Sequence, residues 1–251
     1  TENRILDPIS YKPGIEIILS TEKGDITTAV HEKNRINIIA EVRAGAEEQN
    51  QAKAVVEAVD IIINYDSEYN RLRIKDVIER NFNFDYNSYV NYKILIPEDF
   101  NADFVTDSGD IEIENIEGNL YAQSSRGELN VNKIRGKITA DLGLDSVNIE
   151  YLEGMDNIYI KTGTGDIDIR YIDLASETRE NKIYTSTGNI KLNIAGTTSV
   201  DARTETGYVI YEGANLGNSP DRMTINGRRT FDSTPELILR SRTGDIEINK
   251  W

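Results

Sequence analysis

The chain has no cysteine, five prolines, one tryptophan, one histidine and two methionines in 251 residues. Without cysteine there are no disulfides, thiolate metal sites or cysteine nucleophile, and the redox compartment stays open. A lone His31 cannot build a histidine-rich zinc site, and a catalytic triad through it would need a nucleophile that no motif marks. Basic residues are also short: 28 Lys and Arg stand against 43 Asp and Glu, a formal net charge of −15. That balance speaks against nucleic acid, whose affinity rests on clustered cations over phosphates, and against docking on anionic lipid. No run approaches the ~18 apolar residues of a membrane span, so direct membrane insertion is not expected. Thr1-Glu-Asn-Arg-Ile-Leu-Asp-Pro8 lacks the basic-then-apolar pattern of a signal peptide, which leaves a cytosolic protein or one whose export segment has been removed. Phosphate loops and dinucleotide fingerprints are absent too; Gly163-Thr-Gly165 lies between strand patterns, without the following helix that a dinucleotide site requires.

What the chain does have is repetition. Thr162-Gly-Thr-Gly-Asp-Ile-Asp-Ile169 recurs as Thr106-Asp-Ser-Gly-Asp-Ile-Glu-Ile113 and Ser241-Arg-Thr-Gly-Asp-Ile-Glu-Ile248. Weaker copies begin at Ser124, Thr185 and Thr204. Aligned on the turn glycine, here called the anchor, the copies fall at Gly109, Gly127, Gly165, Gly188, Gly207 and Gly244. Two coils are degenerate, one with Asp145 in the glycine's place and one near Gly227. Anchors are spaced about 17 to 23 residues apart, and each unit holds two short alternating strands and a second turn such as Ile116-Glu-Gly118. Two strands and two turns per period make one coil. The expected fold is mainly β: a parallel β-solenoid, single-stranded β-helix-like, of about 7 to 8 short coils. An antiparallel meander uses the same ingredients, but would tolerate drifting lengths and favour two-residue Asn-Gly or Asp-Gly loops.

The expected domains are 1–100, a strand-rich region outside the repeat that caps the solenoid, and 101–251, the solenoid itself. In the first, residues 15–19, 35–42, 61–65, 71–75 and 90–96 read as strands, Glu22-Lys-Gly-Asp25 as a turn, and 46–59 as the one helix. Arg80 to Ser88, with Phe82, Phe84 and Tyr86, reads as a strand face in preference to an aromatic loop. In the second, the positions two and four after each anchor are apolar, as in Ile111/Ile113 and Ile167/Ile169. The positions five and seven before it are apolar as well, as in Ala122/Leu120 and Ile160/Ile158. A one-residue slip would turn both walls inside out.

The outward positions differ between the two walls. After the anchor they carry Asp110, Glu112, Glu128, Asp166, Asp168, Asp245 and Glu247, an acidic face. Stacked like charges repel, so such a face is either simply solvated or recruits cations. Asp110, Asp166, Asp168 and Asp245 are the candidates for calcium, although the Gly-Gly-x-Gly-x-Asp nonapeptide is missing. The Asp after each anchor can instead accept turn N–H groups. No cofactor is expected. Before the anchor the outward positions carry Tyr121, Lys137, Tyr159, Lys161, Lys182, Tyr184, Arg203 and Arg240, an aromatic and basic face. Of these, Tyr121, Tyr159, Lys161, Tyr184 and Arg203 are the candidate binding residues, because exposed tyrosines offer rigid area with a polar tip. Tyrosine is also simply a good strand residue. The longest irregular interval, Ala214 to Arg229, reads as a loop, and the strand ending in Trp251 could cap the stack or present it.

Tyr92-Lys-Ile-Leu-Ile-Pro97 followed by the Ser/Thr-x-x-Gly-Asp-Ile units resembles the bacterial putative-adhesin family, a domain of unknown function with a β-solenoid body. The resemblance runs from about Gly14 to Ile248. It implies exported, often membrane-anchored envelope proteins, hence an extracellular, periplasmic or cell-surface location. It carries no catalytic residues. The reading is therefore a non-enzymatic protein that presents extended faces to a glycan or an envelope protein. The alternatives are a scaffold assembling through solenoid ends or edges and a polysaccharide-active enzyme, for which the Asp166/Asp168 pair would be the first candidate.

Overall fold

The computed structural model describes residues 1–155, 157–174, 181–195, 199–213, 221–224 and 236–250. Trp251, the coil expected near Gly227, and most of the interval 214–229 lie outside them. Within that interval Asp221–Thr224 is a strand, not loop, and pairs antiparallel with Tyr208–Tyr211.

Two long sheets face each other, and the chain passes from one to the other at every anchor. The pre-anchor sheet contains Ile15–Lys23, Phe100–Ser108, Leu120–Arg126, Ile138–Leu144, Ile158–Thr164, Asn181–Thr187, Glu236–Thr243 and Ser199–Thr206. The post-anchor sheet contains Ile26–Val30, Ile111–Glu117, Leu129–Arg135, Val147–Met155, Ile167–Leu174, Ile190–Ile194, Ile246–Lys250 and Tyr208–Gly213. Both series pair in parallel, so this is the stacked solenoid and not the meander. The predicted walls point inward: Ile111, Leu129, Val147, Ile167, Ile190 and Ile246 on one side, and Ala122, Ile160, Ala202 and Leu239 on the other, are buried. Each large aliphatic side chain removed from water in this way contributes about 1.5–3 kcal/mol.

The repeat motif is a device for stacking corners. The anchor glycines have φ between +138° and +157°, and a Cβ on Gly188 would stand 2.1 Å from the carbonyl oxygen of Gly165 in the adjacent coil. Only glycine allows that approach. Three residues earlier, the motif's Ser or Thr is buried and its hydroxyl donates to the same neighbouring carbonyl: Thr106 to Gly24, Thr185 to Gly165 at 3.0 Å, Ser241 to Gly188 at 3.0 Å, Thr204 to Gly244 at 2.8 Å. One residue after the anchor, the Asp or Asn carboxyl or amide oxygen accepts the N–H of its counterpart in the next coil: Asp110 from Glu128, Asp166 from Asn189, Asn189 from Asp245, Asp245 from Tyr208. Asp145 replaces glycine at φ +84° and keeps the corner; its carbonyl accepts from Thr162 at 2.9 Å.

The stacking order departs from the chain order at both ends. Thr21-Glu-Lys-Gly24-Asp-Ile26 is a further copy of the motif, and its coil stacks in parallel on the coil of Gly109. The expectation that residues before about 100 do not share the repeat is thus corrected, and Glu22–Asp25 is an anchor corner of the stack. At the other end, the last coil in sequence, 236–250, inserts between coil 181–194 and coil 199–213. The shared corner chemistry lets these two coils stack beside neighbours that are not next to them in sequence.

Around the Gly24 coil the remaining strands close one end. Tyr86–Ile96 lies antiparallel to Arg35–Ala46 and parallel to Ile26–Val30, while Val59–Asp66 and Arg71–Ile78 form a hairpin on the pre-anchor sheet. The helix spans Gln49–Ala58, capped by a reciprocal Glu48–Gln51 box, with Val55 and Val56 buried. It stops where Val59-Asp-Ile-Ile-Ile63 turns to β-branched residues that suit a strand. Residues 79–85 are the aromatic loop and not the preferred strand face: Phe82, Phe84 and Tyr86 cluster on one another, with Phe82–Phe84 centroids 5.0 Å apart. Three alternating aromatics imitate a strand face, but here they satisfy each other. Beneath this end the Tyr92 hydroxyl donates to Asp76 at 3.1 Å. Burial pushes the Asp76 carboxyl above its ordinary range, opposed by hydrogen bonds from Thr21 and Tyr92.

Two stability outcomes are expected. Gly188→Ala should cost about 3 kcal/mol or more in denaturant unfolding. Gly45→Ala, at an exposed position where an added Cβ meets nothing within 4 Å, should stay within about 0.5 kcal/mol. Equal effects would remove the close-approach account of the corner. For Asp76, a raised folded pKa means stability that is present at low pH and lost as pH rises through that pKa. Asp76→Asn should therefore gain stability relative to the natural chain as pH rises above about 4, the ordinary Asp value. A pH-independent difference between the two proteins would show that Asp76 is not buried as described.

Candidate functional site

The outward side chains of the pre-anchor sheet run in columns along the stack, one residue per coil. One column reads Asp103, Tyr121, Thr139, Tyr159, Lys182; the next reads Gln123, Asp141, Lys161, Tyr184, Arg240, Arg203. Four of the five candidate binding residues, Tyr159, Lys161, Tyr184 and Arg203, line one shallow groove, together with Arg240 and Arg242. The Tyr159 and Tyr184 rings meet edge to face at 6.2 Å. Tyr121 is not part of it. It sits two coils away, beyond Thr139, with its hydroxyl donating to Gln123 at 2.9 Å.

The groove owes its composition to the inserted coil. Sequence order would place Arg203 beside Tyr184; instead Arg240 lies between them. Arg240 is held in place, donating to the Asp201 carboxylate at 2.7 Å and to the carbonyls of Asp201 and Leu239. Lys161 reaches Asp141 at 3.4 Å, and Arg242 reaches Glu205 at 3.8 Å, both exposed and hence weak pairs. Arg203 is exposed and has no hydrogen bond or ion pair among the described residues. Sequence reasoning placed Arg240 on this face, but could not see that it neighbours both Tyr184 and Arg203.

The post-anchor face is less acidic than its alignment implies. Glu112 stands between Thr27 and Asn130, Asp168 between Asn148 and Lys191, and Glu247 beside Lys191, which it approaches to 3.5 Å. Asn148 donates to Asn130 at 2.9 Å, so in this column amides and Lys191 separate the carboxylates. In the corner column, by contrast, Asp25, Asp110 and Glu128 stand in adjacent coils, the Asp110 and Glu128 backbone N–H groups each bonded to the preceding carboxylate. Of the calcium candidates, Asp110, Asp166 and Asp245 are spent on the corner N–H groups, and Asp168 lies one column away from that corner. Among the described residues no three metal-ligating side chains converge. The Asp166/Asp168 pair is likewise divided, one oxygen of Asp166 being a structural acceptor. His31 serves its own loop, its Nδ1 accepting from the Lys33 N–H at 3.1 Å.

The family model for Toastrack DUF4097 matches residues 98–250, the whole run of consecutive coils together with the inserted one. No curated protein matches. Three solved structures are similar at 12% identity: a putative cell adhesion protein from Clostridium sporogenes, with both chains fully covered and a TM-score of 0.33; a putative adhesin from Bacteroides fragilis, covering all of this chain and 97% of that one, TM-score 0.34; and a putative adhesin from Parabacteroides distasonis, with the same coverage and a TM-score of 0.30. Among the described residues no helix is long and apolar enough to cross a membrane. With more than half its length matched, the chain belongs to the Toastrack DUF4097 family.

Proposed function

We propose that this chain is a non-enzymatic, adhesin-like binding protein of the cell surface or envelope, and that the groove at Tyr159, Lys161, Tyr184, Arg203 and Arg240 receives its glycan or protein partner. The observation that supports this most is the groove's composition: paired tyrosine rings, an arginine braced by Asp201, and an arginine without a partner among the described residues. Rigid aromatic area beside fixed guanidinium groups is the chemistry of recognition surfaces. Among the described residues no comparable cluster is arranged for catalysis. Asp76, a carboxyl with a raised pKa, spends its hydrogen bonds on Thr21 and Tyr92.

The second reading, a scaffold that assembles through an end of the stack, draws on one asymmetry. The terminal post-anchor strand Tyr208–Gly213 is covered by Asp221–Thr224, whereas the terminal pre-anchor strand Ser199–Thr206 has no outer neighbour among the described residues. A bare edge can pair with another chain. Light scattering across a wide concentration range separates the two, since the scaffold reading requires growth in mass.

Glycan-array binding, run with calcium and with chelator, tests the groove. Tyr159→Ser with Tyr184→Ser should lower affinity at least tenfold without unfolding, while Tyr121→Ser, two coils away, should leave it unchanged. Binding should not depend on calcium. If Tyr121→Ser weakened binding as much as the double variant, the site would lie elsewhere on the face.

A further inference from the structure

We infer that the partner is an acidic polysaccharide, a chain of sugar rings bearing carboxylates, lying along the stack axis across Lys161, Tyr184, Arg240 and Arg203. This rests on the groove being the binding site. Three observations lead from the groove to that ligand class. First, Arg240 and Arg203 are register partners on adjacent strands, and like charges directly opposite one another are unfavourable. Asp201 answers the charge of Arg240, which leaves Arg203 to be answered by something outside the chain. In a protein of net charge −15, where carboxylates are plentiful, none among the described residues is paired with Arg203.

Second, the spacing suits a polymer. Arg203 lies three coils from Lys161, about 14 Å at the usual strand separation. No single sugar acid spans that distance, but an oligomer carrying carboxylates on separate rings reaches both cations at once. Arginine can take a carboxylate through two parallel N–H bonds, and lysine contributes a mobile point charge. Third, Tyr184 sits between the two cations in the same column and Tyr159 flanks it at 6.2 Å, so a sugar ring held between the carboxylate contacts rests on aromatic surface. The protein's overall negative charge opposes a polyanion only at long range, since fields beyond about 10 Å are screened at 0.1 M salt.

Polygalacturonate, its fully methyl-esterified form, dextran, galacturonate monomer and inorganic polyphosphate, each titrated into the full chain, test this directly. Polygalacturonate should bind at least tenfold tighter than the esterified polymer, dextran or the monomer, and its affinity should fall with salt. Arg203→Gln should weaken it at least tenfold with an unchanged thermal midpoint; Lys191→Gln, on the opposite sheet, should change nothing. Equal binding of the esterified polymer or dextran, lost in the Tyr159→Ser/Tyr184→Ser variant, would overturn the acidic ligand and leave the groove standing. Binding to none of the sugars would overturn both. Polyphosphate binding as tightly as polygalacturonate, insensitive to the tyrosines, would show bare charge attraction and overturn the inference as well.

Discussion

Everything in this molecule follows from how closely one coil's corner can approach the next. At the anchor glycines the neighbouring carbonyl oxygen comes within 1.9 to 2.2 Å of where a side chain would begin, which only glycine permits. At Gly188 and Gly244 that carbonyl also accepts the buried Thr or Ser hydroxyl of the same motif. The Asp or Asn beyond the anchor then reaches the following coil. One short motif therefore makes a contact downward, a contact upward and a change of sheet. A buried hydroxyl left without its acceptor would cost about 1–3 kcal/mol, so the three contacts stand or fall together.

Corners this uniform are interchangeable, and the chain uses that freedom. The Gly24 coil joins the stack from the far side of the helix and hairpins, and the final coil enters between two earlier ones. Because outward residues line up by coil position rather than by sequence, this insertion decides which side chains become neighbours. It sets Arg240 between Tyr184 and Arg203, and it gives the pre-anchor sheet a groove that no consecutive run of the sequence contains.

Much of the fold was legible in the sequence because period-two alternation and the anchor spacing both report backbone geometry directly. Alternation alone points Ile167/Ile169 and Ile158/Ile160 inward, and all four are buried. Asp145 could be recognised as a stand-in for glycine because Asp is among the few residues that tolerate a positive φ. What the pattern could not carry was order in space. Gly24 reads in the sequence as a simple turn because some eighty residues of other structure separate it from its stacking neighbour, Gly109. The spacing of charge on the acidic face was hidden for the same reason: aligned copies look adjacent, while in one column Asn130, Asn148 and Lys191 lie between the carboxylates. Of the candidate site, the residue types and face were legible, whereas the company of Arg240 and the separation of Tyr121 depended on the stack.

The inserted coil is the claim on which the groove depends, and the absence of natural cysteine makes it directly measurable. Thr187 and Thr243 are exposed register partners on adjacent strands, about 4.8 Å apart and within disulfide range. Thr206 lies one coil further from Thr187, beyond about 7 Å, where a disulfide cannot close without backbone movement. Oxidation of Thr187→Cys/Thr243→Cys should therefore give an internal crosslink, and Thr187→Cys/Thr206→Cys should remain reduced. Closure of the second pair with the first left open would mean that coils stack in sequence order and that the groove described here does not form.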